Sequence, residues 1–303
     1  MKKSILAAAA ASTGAVIFAA AAVANYTTAN GYEAIRNSLF ALRGTENYTM
    51  DMEFSIDTGD GYGTELLCRI EMDEPNQRSY AIDRQRFNIP GSTEERAYRN
   101  WAADGMRIYM GNSDEKAYGY KADFGVDNPF TADYFGDEKT TAKVMKFLEL
   151  GLDTFVGDLK NNFTYAGEDG GLKTYTLSLD AIQVPELVNA GLSAVTSLMS
   201  AEYEDVSDPD ELERWTASFL TADDVYTSSV NGSFVLNEDN SFSSGEMSAV
   251  VTGTDANGER LDVTIGMKLS MTDVGTTVPE APPENYSTSY DDKAEATAET
   301  TVE

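Results

Sequence analysis

The stretch that most constrains this chain is Asn47–Asp57. There Tyr48, Met50, Met52, Phe54 and Ile56 alternate without a break with Thr49, Asp51, Glu53 and Ser55. Successive strand side chains point to opposite faces, so this is a long strand with one apolar and one wet face. A chain that carries such a strand needs antiparallel neighbours patterned like it, and they follow. Thr58-Gly59-Asp60-Gly61 turns into a strand over Glu65–Asp73, and Pro75-Asn76-Gln77 turns that into Arg78–Phe87. The next pair spans Glu94–Asp104 and Met106–Met110, with Asp104-Gly105 as a tight hairpin signal. A further strand over Lys116–Asp123 follows Gly111-Asn112-Ser113. The run reads as an antiparallel meander.

Helical spacing brackets and interrupts it. Ahead of the first strand, Asn30 and Glu33 are spaced as a capping box. Tyr32, Ile35, Leu39 and Leu42 then share one helical face, and Gly44 stands at the C-terminal cap. In the centre, Thr140 to about Lys160 carries an apolar stripe through Val144, Phe147, Leu148, Leu152 and Phe155. After a hairpin turn at Glu168-Asp169-Gly170-Gly171 and a strand over Lys173–Leu179, Pro185 opens a second central helix. Asp208-Pro209-Asp210-Glu211 opens a third, shorter one. Strands return at Val225–Leu236, Ser241–Thr254 and Arg260–Thr272. Helices and strands in separate blocks point to an α+β fold with an antiparallel sheet, not to parallel βαβ units.

The ends differ from this body. Lys2 and Lys3 precede an alanine-rich apolar run from Ile5 to Ala24 that closes on Ala22-Val23-Ala24, the small-x-small form of a signal-peptidase site. Residues 1–24 are read as a signal peptide or, uncleaved, as an N-terminal membrane anchor, since about 20 apolar residues span a bilayer. Weakly lipophilic alanine and the interrupting Ser12, Thr13 and Gly14 favour cleavage. Either reading puts the rest outside the cytoplasm, secreted or held at the outer face of the cytoplasmic membrane. Residues 25–274 form one α+β domain. From Gly275, prolines 279, 282 and 283, many Thr and Ser, and an excess of carboxylates predict a disordered acidic tail to residue 303.

Composition narrows the function. The chain has no histidine, one cysteine (Cys68), and a formal net charge of −29. Ser-His-Asp and Cys-His catalysis, zinc sites built on His, and disulfides within the chain are thereby excluded. An acidic chain is repelled by nucleic acid and by anionic lipid, so no nucleic-acid partner is expected, and contact with membrane is confined to residues 5–24 if they stay. Asp57-Thr58-Gly59-Asp60-Gly61 fails the calcium-loop spacing, because Ile56 and Thr58 fall where ligands are needed. No metal site and no cofactor are expected.

Two clusters stand out as ligand-binding candidates. Arg69, Arg78, Arg84, Arg86, Arg96, Arg99 and Arg107 lie in a stretch without lysine. Arg84 and Arg86 are two apart and share a strand face, where guanidinium forks suit carboxylate or phosphate. The plainer alternative is cross-strand pairing with Glu71, Asp73, Asp83, Glu94 and Glu95. Trp101 and Tyr109 belong to an aromatic group suited to lining a groove, although in an antiparallel sheet such residues more often serve cross-strand packing.

The long closing hairpins Val225–Asn237 and Ser241–Thr272, and the helix start Pro185-Glu186-Leu187-Val188, complete an element order that resembles the lipoprotein-carrier (LolA-like) superfamily of exported bacterial proteins. That resemblance covers Tyr32 to Thr272 and rests on no diagnostic motif. It implies a large curved antiparallel sheet, a half-barrel, with amphipathic helices on its concave face and an apolar space between them for a lipid. Members are often basic or lipid-anchored, and this chain is neither. The expected function is that of a non-enzymatic extracytoplasmic binding protein holding a lipid or other apolar small molecule. The alternative is a cell-envelope interaction or sensory module with a protein or cell-wall partner, and a more distant one is a carboxylate-dependent hydrolase.

Overall fold

The structure is a computed structural model; it describes residues 30–42, 44–59, 61–111, 117–121, 162–184, 189, 223–254 and 260–287. Helix α1 (Asn30–Ala41) leads into β1 (Asn47–Asp57), β2 (Gly63–Asp73), β3 (Arg78–Ile89), β4 (Ser92–Ala103), β5 (Met106–Met110) and β6 (Ala117–Lys121). Then come β7 (Phe163–Asp169), β8 (Leu172–Asp180), β9 (Asp223–Leu236), β10 (Phe242–Thr254), β11 (Arg260–Thr272) and β12 (Tyr286–Ser287). All twelve strands form one open, curved sheet in the order β12-β6-β5-β4-β3-β2-β1-β11-β10-β9-β8-β7. Every pairing is antiparallel except the short parallel one between β12 and β6.

The meander forms as its pattern predicts, and Asp104 and Gly105 both adopt the positive φ of a tight hairpin. The alternating strand β1 is the keystone. It pairs with β2 on one side and with β11 on the other, and so joins the two strand blocks into one sheet. Of the expected helices, only α1 falls among the described residues as an element. The stripes at 140–160, 185–199 and 208–219 lie outside them.

Residues in register across antiparallel strands share a face, so the pairings assign every side chain to one side of the sheet. On the first face lie Tyr48, Met50, Met72, Leu177, Phe234, Met247 and Met271, buried together with Tyr32 and Ile35 of α1. The helix packs there against β7, β9 and β10. Tyr32 meets Phe163 with ring centroids 5.9 Å apart, and Phe163 meets Phe234 at 6.1 Å. On the opposite face, over β3–β6, Tyr80, Ile82, Trp101, Ile108 and Ala117 form a second core.

That second core is covered by a segment the composition assigns to a disordered tail. For residues 275–287 the structure corrects this. The Gly275 amide donates to the Asn47 carbonyl at 2.9 Å, and the Thr277 amide to Asn47 Oδ1 at 2.8 Å. The hydroxyls of Thr277 and Thr49 lie 2.9 Å apart, both buried. The Glu280 amide donates to Glu71 Oε2 at 2.8 Å. Tyr286 then packs on the second core and pairs alongside Ala117. A proline-rich stretch stays extended without internal hydrogen bonds and so leaves its backbone free to bind the sheet. Gly119 makes room for it, since a Cβ there would lie 2.6 Å from the Tyr286 ring. Residues 288–303 lie outside the described residues.

Candidate functional site

Between the two cores, on the face turned away from α1, the sheet carries a cavity of about 760 Å³. Its lining comes from six neighbouring strands, β9, β10, β11, β1, β2 and β3. Five strand spacings make this a trough about 24 Å long, measured along the sheet. The β3 and β2 end is framed by Ile82, Arg84, Leu67 and Arg69. The floor crosses Asp51 and Glu53 of β1 and Lys268 and Ser270 of β11, and the far end holds Ser244, Glu246, Ser233 and Val235. The wet face of β1 thus becomes the floor of a site.

Most charges in the trough are matched. Lys268 Nζ lies 2.7 Å from Glu53 Oε1, and that hydrogen bond, with Glu246 also nearby, pushes the ammonium above its usual range. Arg69 contacts Asp51 Oδ2 at 3.1 Å and Glu71 Oε1 at 3.0 Å. These pairs are substantially exposed, so each contributes about 0.2–1 kcal/mol at most. Their role is to fix side-chain positions. Glu71 has a double duty: one oxygen holds Arg69 and the other holds the Glu280 amide of the covering segment.

Arg84 is different. It is exposed and makes no hydrogen bond or ion pair among the described residues. Its in-register neighbours are Leu67 on β2 and Ala97 on β4, neither of which can pair with a guanidinium. Arg86, on the same face, is instead engaged by Glu65 at 2.8 Å and Glu95 at 3.4 Å. Arg96 is paired with Glu94. Cross-strand pairing therefore describes Arg69 and Arg86, Arg96 pairs along its own strand, and in the trough Arg84 is left over among the described residues.

The structure does not gather the four candidates from the sequence. Arg84 lines the trough, and Arg86 is beside it but occupied. Trp101 is buried in the second core against Tyr80, with ring centroids 5.5 Å apart, and its indole Nε1 has no hydrogen-bond partner among the described residues. Tyr109 lies on the other face, stacked with Tyr98 at 6.4 Å. Asp51, Glu53, Lys268 and the three serines went unnoticed in the sequence. Their only signal is that they fall on the wet positions of alternating strands, which every solvated strand shares.

The expected place for a ligand, between sheet and helix, is filled where α1 is described. Tyr32 and Ile35 are essentially inaccessible there and interlock with Phe163, Phe234 and Met247. The open space is on the reverse face. At Cys68, whose strand position lies at the trough, burial and the adjacent Asp83 push the thiol well above the usual range and so disfavour the thiolate. Among the described residues no group of three His, Cys, Asp or Glu is placed to hold a metal ion, and no helix is long and apolar enough to cross a membrane.

No family model matches the chain, and no curated protein matches it. Among solved structures it is similar to LprF from Mycobacterium bovis, at 11% identity over 86% of this chain and 100% of that one, with a TM-score of 0.33. A porin-like protein from Bacteroides uniformis is 8% identical over 75% of this chain and 97% of its own, with a TM-score of 0.25. A LolA superfamily protein from Nitrosomonas europaea is 9% identical over 85% and 96%, with a TM-score of 0.19. Similarity at these TM-scores carries no inference about the fold or function of this chain.

Proposed function

We propose that this chain is an extracytoplasmic, non-enzymatic binding protein that holds a small amphipathic molecule in the trough across β9–β3. The trough itself carries the reading. Its volume of about 760 Å³ falls in the range of sites that enclose small molecules, roughly 300–1,000 Å³. Leu67, Ile82 and Val235 supply apolar walls, and the aliphatic stems of Arg69, Arg84 and Lys268 extend them. Three serine positions, Ser233, Ser244 and Ser270, offer hydroxyls that both donate and accept. The export-type segment at residues 2–24 supports the compartment.

The test is native mass spectrometry of the full chain isolated from its envelope fraction or medium, followed by organic extraction. Ser270→Trp, which fills the trough floor, is the control. The expected result is a stoichiometric small molecule on the wild-type chain and none on the variant. An equally loaded variant would move the ligand elsewhere, and two empty, stable proteins would sink the reading.

A further inference from the structure

We infer that the ligand of the trough carries a carboxylate or phosphate head joined to an apolar chain, and that Arg84 is the residue that takes the head. This rests on the trough being a binding site and names the chemistry it selects. Three basic side chains line the trough. Arg69 and Lys268 are held by Asp51, Glu71 and Glu53. Arg84 has a free guanidinium, five N–H donors in a planar fork, and no acceptor among the described residues. Two parallel N–H···O bonds to a carboxylate or phosphate match that fork, as they would not match an ammonium.

The surroundings say what the rest of the ligand is. Leu67 and Ala97 flank Arg84 in register, and Ile82 precedes it by two on the same face. A head bound at the fork thus puts its first carbons against aliphatic side chains. Charge adds selectivity. The chain bears a net −29, so an anion is repelled over most of its surface. The stretch from Arg69 to Arg107 gathers seven arginines and no lysine, and Arg84 is the one that opens into the trough unpaired. Of the three cations that line the trough, Arg84 is the one left to take an anion, and a neutral amphiphile gains nothing from it.

The experiment is isothermal titration of the full chain with octanoate, octyl phosphate, octanol and inorganic phosphate, repeated on Arg84→Gln and Arg84→Lys. Arg84 is exposed, so both variants should melt with the wild type, which a thermal scan checks. Octanoate and octyl phosphate are expected to bind at least tenfold more tightly than octanol. Arg84→Gln should erase that preference, and Arg84→Lys should restore only part of it. If octanol binds as well as octanoate, or if Arg84→Gln changes nothing, the anchor is wrong while the trough reading stands. Inorganic phosphate binding as tightly as octyl phosphate would replace the amphiphile by a free anion. No binding of any probe to a chain that carries a copurified neutral molecule overturns the anion class alone. No probe bound and nothing copurified overturns both readings.

Discussion

Two of the buried clusters among the described residues lie on opposite faces of the sheet, and their covers differ in kind. Around β1 and β7–β11 the apolar side chains point one way; those gathered about Phe234 are buried with α1, a helix from the same end of the chain, and Val251, Val263 and Ile265 form a separate cluster farther along the same face. Over β3–β6 they point the other way and are buried under the extended segment 275–287 from the opposite end. The reversal happens between β2 and β3, where the rungs are mismatched: Glu71 faces Tyr80, Arg69 faces Ile82, and Cys68 faces Asp83. A sheet that switches faces needs a seam where neither side is fully covered. The trough opens along that seam, with the face-switched Ile82 and Arg84 as its end wall. A core under a helix is sealed by interlocking side chains, whereas one under an extended strap is held by a few backbone bonds and one ring.

That difference can be pressed from its largest effect down. Phe234 is fully buried at the centre of the helix-covered core, so Phe234→Ala should cost about 3–5 kcal/mol in denaturant unfolding and leave no separately folded part. Ending the chain at Val274 removes Thr277, Glu280 and Tyr286 together. It should cost about 2–4 kcal/mol, from one aromatic ring and several hydrogen bonds, and loosen only the strap-covered side. Gly119→Ala places a methyl group against the Tyr286 ring and should cost about 1–3 kcal/mol in a full-length chain. In the chain ended at Val274 the same substitution should cost almost nothing, which a double-mutant cycle reads directly.

The smallest effect lies at the seam. The folded-state pKa of Cys68 is raised above the ordinary 9.0 by burial and Asp83. Below pH 9 both states keep the proton and stability does not depend on this thiol. Above it the unfolded chain loses the proton first, so stability should fall by about 1 kcal/mol by pH 10. Cys68→Ala should flatten that part of the pH profile, leaving any fall due to tyrosines and Lys268.

Much of this frame was legible in the residues. Strict alternation marked β1, Arg260–Thr272 marked β11, and Asp104-Gly105 marked a hairpin with its positive φ angles. Alternation cannot say which face of a neighbouring strand joins which core. Tyr80 and Ile82 alternate as well as Met50 and Met52 do, yet they point the other way, because register with β2 decides the face. The strap was hidden for a related reason. Pro279, Pro282 and Pro283 read as disorder when judged by their own composition, and only the complementary surface of Gly119 and Glu71 orders them. The site was the least visible part. Its floor joins β1 to β11 across more than two hundred residues, and Arg84 differed from Arg86 in the sequence by nothing that foretold which would be left unpaired.

The most direct test of the face-switched sheet is hydrogen–deuterium exchange, read by mass spectrometry, on the full chain and on the chain ended at Val274. Amide protection should drop over residues 78–121 in the shortened chain and persist in β1 and β8–β11. A uniform drop across the sheet, or no change over 78–121, would contradict two separately covered cores and remove the seam on which the trough depends.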